Sequence, residues 1–561
     1  MGLNKAGMLA IDILLVFLSL GLAALVYFVP YWKQKKTISL KQYFTDNYSL
    51  LAASVIFFIG FAFRLCFLDQ LPGGLNQDEA SAGYDAFAIM RWGEDRNGNA
   101  YPVHLVAWGS GQNALYSYLM IPFIAILGLN EISVRLPMAA YGCLSLYFLY
   151  KYLSRYHGKE TSLVGLFFLA ICPWHIMKSR WGLESNLFPD LVLDGFLLLM
   201  IGIKEKKIWI FLVSAFVLGL SSYSYGTSYF FLFFFIIFGL IYLLCQKRIR
   251  WTWALYYLGI VGFVCIPIMI FIWINVKGGD SVHLLWFTIP KLTANRFSAV
   301  TNLFSGSFAS SAWDNFSAAM KVLFSQDDGL CFNSIKWIGT TYLISIPFFF
   351  YGLFHRADEA HRDFFWLLRI WFFVCLLMLF IVSPNINRIN IIFFPIIIFS
   401  FIGLEDFILL LTRYRKAVIP ALTAVYLALF CAFSVLYFTS QAQQIRDSFF
   451  YSLGDAIKYV DSIDEEASKV YITSNINMPY IDVLFYTRYD VKDFISTVQY
   501  SNPDGSFRYV SSFGKYYFYL PSSLTKGNIY LVENSNPFLT EHDLSAYQVT
   551  AFASYTVVDA R

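Results

Sequence analysis

Two adjacent carboxylates, Asp78 and Glu79, sit in NQDEASAGYDAFAIMRWGEDRNG (Asn76–Gly98), a segment with seven charged side chains directly after an apolar run. An acid in the first turn of a helix is held ionised by the backbone dipole. An ionised carboxylate within reach of a hydroxyl can accept its proton as a general base. Asn76, three residues ahead of Glu79, also has the pattern of an N-cap with a capping-box partner. Successive helical residues point about 100° apart, so a Glu79 folded back onto the cap leaves Asp78 facing elsewhere, and Asp78 is the expected base.

A second concentration of polar groups is CPWHIMKSRWGLESNLFPD (Cys172–Asp190), where an apolar helix ends at a proline and His175, Lys178, Arg180 and Glu184 follow before the next apolar run. Trp174, Lys178, Arg180 and Trp181 have the composition of a lipid-headgroup anchor. Arg180 and Glu184 stand four apart, near enough to pair on one helical face or to hold a phosphate and a hydroxyl side by side. The third stretch is SPNINRINIIFFPIIIF (Ser383–Phe399), in which Arg388 is the single charge, beside Asn385 and Asn387. An arginine fork meets phosphate oxygens with two hydrogen bonds; snorkelling to the headgroups is its rival use.

The elements that must position these residues are membrane helices. The chain is 58% hydrophobic, 20% aromatic and 14% charged, against about 25% charged in soluble domains. Apolar runs of spanning length recur over 8–30, 49–68, 133–152, 161–174, 187–203, 208–225, 228–245, 252–274, 336–354, 364–383, 389–411 and 417–438, about twelve by hydropathy. The run Lys5 introduces is too long for a signal peptide and is read as a retained first helix, and MGLNKA lacks the Ser or Thr of a myristoylation signal. The run Ala114–Leu129 is marginal for a span. With that run lying along the surface, Lys33/Lys35/Lys36/Lys41, Lys151/Arg155/Lys159, Lys204/Lys206/Lys207, Lys247/Arg248/Arg250, Arg356/Arg362 and Arg413/Arg415/Lys416 all fall on one face. The positive-inside rule makes that face cytoplasmic. Loops 69–132, 175–186, 275–335 and 384–388 and the C-terminal tail then share the outer face, and with them Asp78 and Glu79.

The predicted fold is a polytopic α-helical membrane body, residues 1–440, followed by a soluble extracytoplasmic α/β domain, residues 441–561. In the tail, LGDAIKYVDSI and YIDVLFYTR have helical periodicity, whereas KVYIT, KYYFYL, NIYLV and YQVTAFASYTVV read as strands. It has no Gly-rich phosphate loop. Asp190 and Asp194, with Arg64 near the outer end of another span, are expected to form an internal ion pair; Asp12 and Arg369 lie deeper without an assigned partner. Lys291, Arg296, Lys321, Asp327 and Asp328 read as the solvated surface of a long outer loop. The eight cysteines are scattered singly with no CxxC spacing, so neither a disulfide framework nor a metal knuckle is expected. No His/Asp/Glu cluster has ligand spacing, and neither a metal nor another cofactor is expected. The net charge of +4 implies no nucleic-acid partner.

Together with ISVRLPMAAYG (Ile132–Gly142) and RINIIFFP, which opens at Arg388, these stretches resemble the GT-C superfamily of membrane glycosyltransferases. The likeness is to the family-39-like branch containing the protein O-mannosyltransferases and the lipid A aminoarabinose transferase, and it covers most of the membrane body and the outward tail. It implies a donor sugar on a polyprenyl phosphate, an acceptor hydroxyl activated by the first acid of the pair, and inversion at the anomeric carbon. Asp78 matches that first acid, Glu184 roughly matches a second-loop acid, and Arg388 matches a late-helix basic position. The expected catalytic residues are therefore Asp78, Glu79 and Glu184, and the expected donor-phosphate ligands Arg388, Arg180, Lys178 and His175. The chain departs from the pattern by the extra helix at 8–30 and by lacking, in the long loop, the repeat motifs of eukaryotic protein mannosyltransferases. The acceptor stays open among a glycan, a lipid and a protein. The alternative reading is a transporter or lipid flippase; such proteins place ionisable groups and broken helices at the midplane in repeated halves, and no internal repeat is visible.

Overall fold

The computed structural model describes residues 5–33, 47–294 and 308–561; Lys35, Lys36, Lys41 and Arg296 lie outside the described residues. The chain runs through α1 (Lys5–Lys33), α2 (Tyr48–Leu65), α3 (Gln77–Trp92), α4 (Leu115–Leu127), α5 (Glu131–Tyr156), α6 (Lys159–Ala170), α7 (Pro173–Ser179), α8 (Glu184–Lys204), α9 (Ile208–Leu220), α10 (Ser228–Cys245) and α11 (Trp251–Lys277). It continues through α12 (Phe308–Ser325), α13 (Ile346–Leu353), α14 (Arg362–Leu379), α15 (Ile386–Ile389), α16 (Phe393–Leu410), α17 (Arg415–Phe438) and α18 (Ser440–Ser448). Among the described residues eight helices are long and apolar enough to cross a bilayer, or nine if α6 and α7, bent by 59° at their break, form one span. Each of the twelve expected runs holds a helix. The lower number arises because α9 and α13 are short and α14 carries Arg362, Asp363 and Arg369. With 13 residues, α4 is about 20 Å long, shorter than the roughly 30 Å hydrocarbon core.

Contacts sort the loops into two ends. At one, Arg155 and Lys207 pair with Glu205, Arg248 with Asp363, and Arg415 with Glu160, while His361 meets the Tyr156 carbonyl. These are the basic loops grouped from the sequence. At the other, the Gly182 N–H donates to Glu79, Asn390 to the Ser185 carbonyl, the Ile386 N–H to Asp328, and Gln441 to the Cys331 carbonyl. Asp12 is buried beside the turn at Phe67–Asp69, and Arg369 donates to the carbonyls of Leu353 and His355.

Helices α13 and α16 cross with backbones in contact: a Cβ added at Gly352 would lie 1.9 Å from the Phe399 carbonyl oxygen, and one at Gly403 1.9 Å from that of Phe348. Small residues permit such approach between membrane helices. Gly403→Ala is therefore expected to force the pair apart and lower stability by about 1–3 kcal/mol, read as a lower unfolding midpoint in detergent; an unchanged midpoint would show that the crossing relaxes freely.

After α18 come α19 (Leu453–Ile463), α20 (Pro479–Thr487) and α21 (Val491–Thr497) around one sheet. Outside it the membrane body holds two short strand pairs, β1 (His104–Leu105) with β2 (Gln112–Asn113) and β3 (Val282–His283) with β4 (Thr288–Ile289). The tail strands are β5 (Lys469–Ile472), β6 (Gln499–Tyr500), β7 (Val510–Phe513), β8 (Tyr516–Tyr517), β9 (Asn528–Glu533), β10 (Gln548–Ala551) and β11 (Tyr555–Asp559), in the order β10-β11-β9-β5-β8-β7-β6. β5 lies parallel to both neighbours, with Val470 opposite Ile529 and Tyr516, and the remaining pairs are antiparallel. The domain does not stand apart. Its Ile481, Phe485 and Val557 share one apolar core with Leu75, Tyr84, Met138 and Leu187 of the membrane body. Tyr84 donates to the Tyr489 carbonyl at 2.7 Å and Tyr486 to Glu131 at 2.9 Å.

Candidate active site

α3 starts as its sequence dictates. Asn76 is in extended conformation, its side chain accepts the Asp78 N–H at 2.9 Å, and the Glu79 carboxylate reaches back to the Asn76 N–H at 3.3 Å, completing a capping box. Glu79 is wholly buried. Arg135 of α5 grips it through Nε and a terminal nitrogen at 2.9 and 2.8 Å, and the Gly182 N–H adds a bond at 2.8 Å. The other Arg135 N–H groups go to the carbonyls of Leu68, Pro72 and Gly74. Glu79, expected as a catalytic residue, has its lone pairs occupied in this structure, where it fastens the α2–α3 turn, α5 and the Gly182 turn together.

Asp78, half-buried, points away from Glu79. Its Oδ1 accepts the indole N–H of Trp108 at 3.2 Å, and its backbone carbonyl accepts from Gln112 at 3.3 Å. Glu184, first residue of α8, lies within electrostatic range of Asp78 and takes the backbone N–H of Asn113. Its enclosed Oε2 meets no hydrogen-bond partner among the described residues. Asn113 also donates to the Tyr229 hydroxyl at 3.2 Å and to the Ser222 carbonyl at 3.5 Å. Two carboxylates 106 residues apart in sequence thus come within electrostatic range of each other, linked through the β1–β2 loop and β2. The buried Arg96 pairs with Asp85 at 2.9 Å and donates to Ser81, which donates to Gln112. Burial, with the charge of Asp85 second, pushes Asp95 of the neighbouring turn up to about 7.

The residues read from the sequence as donor-phosphate ligands divide. Arg180 is buried and spends its guanidinium on the carbonyls of Phe63, Phe67 and Leu71; it makes no pair with Glu184, because α7 ends at Ser179 and the chain turns before α8. Lys178 is buried against Asp190 and the Asn186 carbonyl. His175 is buried between Arg64 at 2.8 Å and Asp190 at 3.3 Å. In this structure the three are interior struts, held by protein partners. The expected pairing of Arg64 with Asp190 runs through His175 instead, and Asp194 accepts from Tyr141 at 2.8 Å. Arg388 differs: it is half-buried in α15, and one of its terminal nitrogens donates to the Ser383 carbonyl at 3.3 Å. Asn390, two residues on, holds the Ser185 carbonyl at 2.8 Å, so the Arg388 turn leans on the start of α8 beside Glu184.

Trp108, Gln112, Asn113 and Tyr229 were not read from the sequence as site residues. Trp108, Gln112 and Asn113 are uncharged and lie in an irregular segment, and Tyr229 is one aromatic among many in α10; Gly109 and Gly111, between Trp108 and the Gln112–Asn113 pair, are the available cue. An apolar groove of about 790 Å³ is lined at one end by Leu115, two residues beyond Asn113, with Leu191 and Leu220, and continues along α5 and α8 to Lys151 and Arg155. Among the described residues no group of three or more His, Cys, Asp or Glu side chains could hold a metal ion.

Residues 112–273 match the family model described as dolichyl-phosphate-mannose-protein mannosyltransferase. The stretch is less than a third of the chain; it includes Asn113, Arg135 and Glu184 and begins beyond Asp78. Two crystal structures of ArnT from Cupriavidus metallidurans resemble most of the chain in fold. The one bound to undecaprenyl phosphate has a TM-score of 0.51 at 11% identity, covering 91% of this chain and 97% of that one. The apo form has a TM-score of 0.52 at 12% identity, covering 92% and 98%. Comparison with curated protein sequences gives no match. The chain is a membrane protein of mostly helical, ArnT-like fold, with a small sheet domain at its C-terminal end. Within that fold it carries a stretch similar to the mannosyltransferase family.

Proposed function

We propose that the protein transfers a sugar from a polyprenyl-phosphate donor to an acceptor hydroxyl, on the extracytoplasmic face of the membrane, with inversion at the anomeric carbon. The observation that carries this reading is the approach of two acids: Asp78 and Glu184 come within electrostatic range of each other, both held against β2, whose neighbour Leu115 lines one end of the apolar groove. Asp78 acts as the general base that takes the acceptor proton as its oxygen attacks the anomeric carbon, and the polyprenyl phosphate leaves with the electron pair of the broken bond. Glu184, with an oxygen left open, orients the acceptor hydroxyl. Arg388 binds the departing phosphate, since a partly exposed guanidinium keeps donors in reserve that the buried Arg180 and Lys178 have spent. The groove takes the isoprenoid chain, which is soluble only in the bilayer. The ArnT-like fold and the family match at residues 112–273 support the reaction class, and the single-ended clustering of basic loops supports the orientation.

The phosphate role is testable without knowing the sugar. Undecaprenyl phosphate added to the full chain in nanodiscs, followed by native mass spectrometry, is expected to bind wild type and to bind Arg388→Ala on the order of tenfold more weakly, as for one charge-assisted hydrogen-bonding group. Equal occupancy in both would remove Arg388 as the clamp, and no occupancy in wild type would count against the lipid donor.

A further inference from the structure

We infer that Trp108 is a positioning residue for Asp78 and that the C-terminal sheet domain is the clamp that holds Trp108 in place. The inference rests on the reading of Asp78 as base and adds a role for the tail. Between β1 and β2 the chain folds tightly on itself, with the N–H groups of Gly109 and Gly111 both donating to the Val106 carbonyl at 2.9 and 3.2 Å. Gly109 has φ of +112°, and a Cβ there would lie 2.9 Å from the Gly505 carbonyl oxygen. Glycine therefore lets the tail approach this closely.

The tail uses that approach. The Arg508 N–H donates to the Trp108 carbonyl at 2.8 Å, Phe507 forms a β-bridge with Gly109, and the Tyr480 ring stands edge-on to the Trp108 ring at 6.0 Å. Across the indole lies Arg96, its guanidinium 4.9 Å from the ring centroid and fixed in turn by Asp85 and Ser81. With Trp108 only 5% exposed, the indole has little room to turn, and its N–H ends on Asp78. The charged groups around Asp78 give that contact a chemical purpose. Glu184 lies within electrostatic range of it from α8, Glu79 is turned away into Arg135, and Arg96 stacks on the face of the indole whose edge N–H meets Asp78. A donor to the ionised carboxyl favours that form. The indole N–H thus keeps Asp78 ionised and able to accept a proton.

The test uses the full chain in nanodiscs. Carbodiimide activation consumes protonated carboxyls, so peptide mass spectrometry of labelled protein against pH gives the midpoint of Asp78. Trp108→Phe keeps the ring and removes the donor; it is expected to raise that midpoint by about one pH unit. Tyr480→Ala, on the tail side, is expected to raise it by less and to speed amide exchange in residues 104–113. An unchanged midpoint in Trp108→Phe overturns the positioning role. Unchanged exchange and midpoint in Tyr480→Ala overturn the tail as clamp, and this arm stands even where Trp108→Phe does not fold. A raised midpoint in Trp108→Phe beside full transfer by Asp78→Asn would keep the contact and dismiss the base, which separates the two ideas.

Discussion

Asp78→Asn is expected to lower the rate of sugar transfer by about 10²–10⁴-fold, the share of a general base, while undecaprenyl phosphate still binds. The amide keeps the shape of the side chain and an oxygen for the Trp108 N–H, so the loss falls on proton transfer and not on the fold. Glu184→Gln retains a hydrogen-bonding side chain and is expected to cost less, chiefly as a raised KM for the acceptor. Steady-state kinetics on the two variants separate these outcomes. A full loss in Glu184→Gln beside near-normal Asp78→Asn would exchange the two roles.

The second large effect concerns the fastener beneath the site. Arg135 and Glu79 are both fully buried, and the arginine makes five hydrogen bonds, two to the carboxylate and three to carbonyls of the α2–α3 turn. Arg135→Met leaves the Glu79 charge without its partner inside the protein, which typically costs about 3–5 kcal/mol. Loss of folded protein in a detergent titration, with a midpoint far below wild type, is the expected result. Partial recovery in the double variant Glu79→Gln with Arg135→Met would assign the cost to the stranded carboxylate. A single variant as stable as wild type would mean that water reaches Glu79, contrary to its burial.

What the sequence disclosed and what it withheld have physical causes. The capping box was legible because Asn76 and Glu79 interact over three residues, within one helical turn. The division of loops between two ends was legible because insertion into a bilayer writes charge asymmetry into short loops, and contacts such as Arg155 with Glu205 now join the same loops. The tail helices 453–463 and 479–487 also stand where their periodicity put them, whereas KYYFYL contributes only the two-residue strand Tyr516–Tyr517. The fate of His175, Lys178 and Arg180 was hidden. Past Leu65 the chain leaves the helix and runs through an irregular turn, so carbonyls such as those of Phe63 and Leu71 lack intrahelical partners. Buried arginines supply the missing donors. A charged residue near a membrane exit looks the same in sequence whether it meets a ligand or an orphaned carbonyl, and only the packing of α2 against α7 distinguishes them. The meeting of Asp78 with Glu184 was likewise invisible in spacing, since the β1–β2 hairpin that joins them is built of uncharged residues.

The most direct measurement supplies the full-length protein, in nanodiscs, with a panel of undecaprenyl-phosphate-linked hexoses and pentoses and an acceptor extract. Released undecaprenyl phosphate and the anomeric configuration of the product are then read by mass spectrometry and NMR. The expected result is lipid phosphate released one for one with sugar transferred, with inverted configuration, and neither from Asp78→Asn. Movement of intact lipid-linked sugar across the bilayer with no new glycosidic bond, or equal turnover by Asp78→Asn, would contradict it.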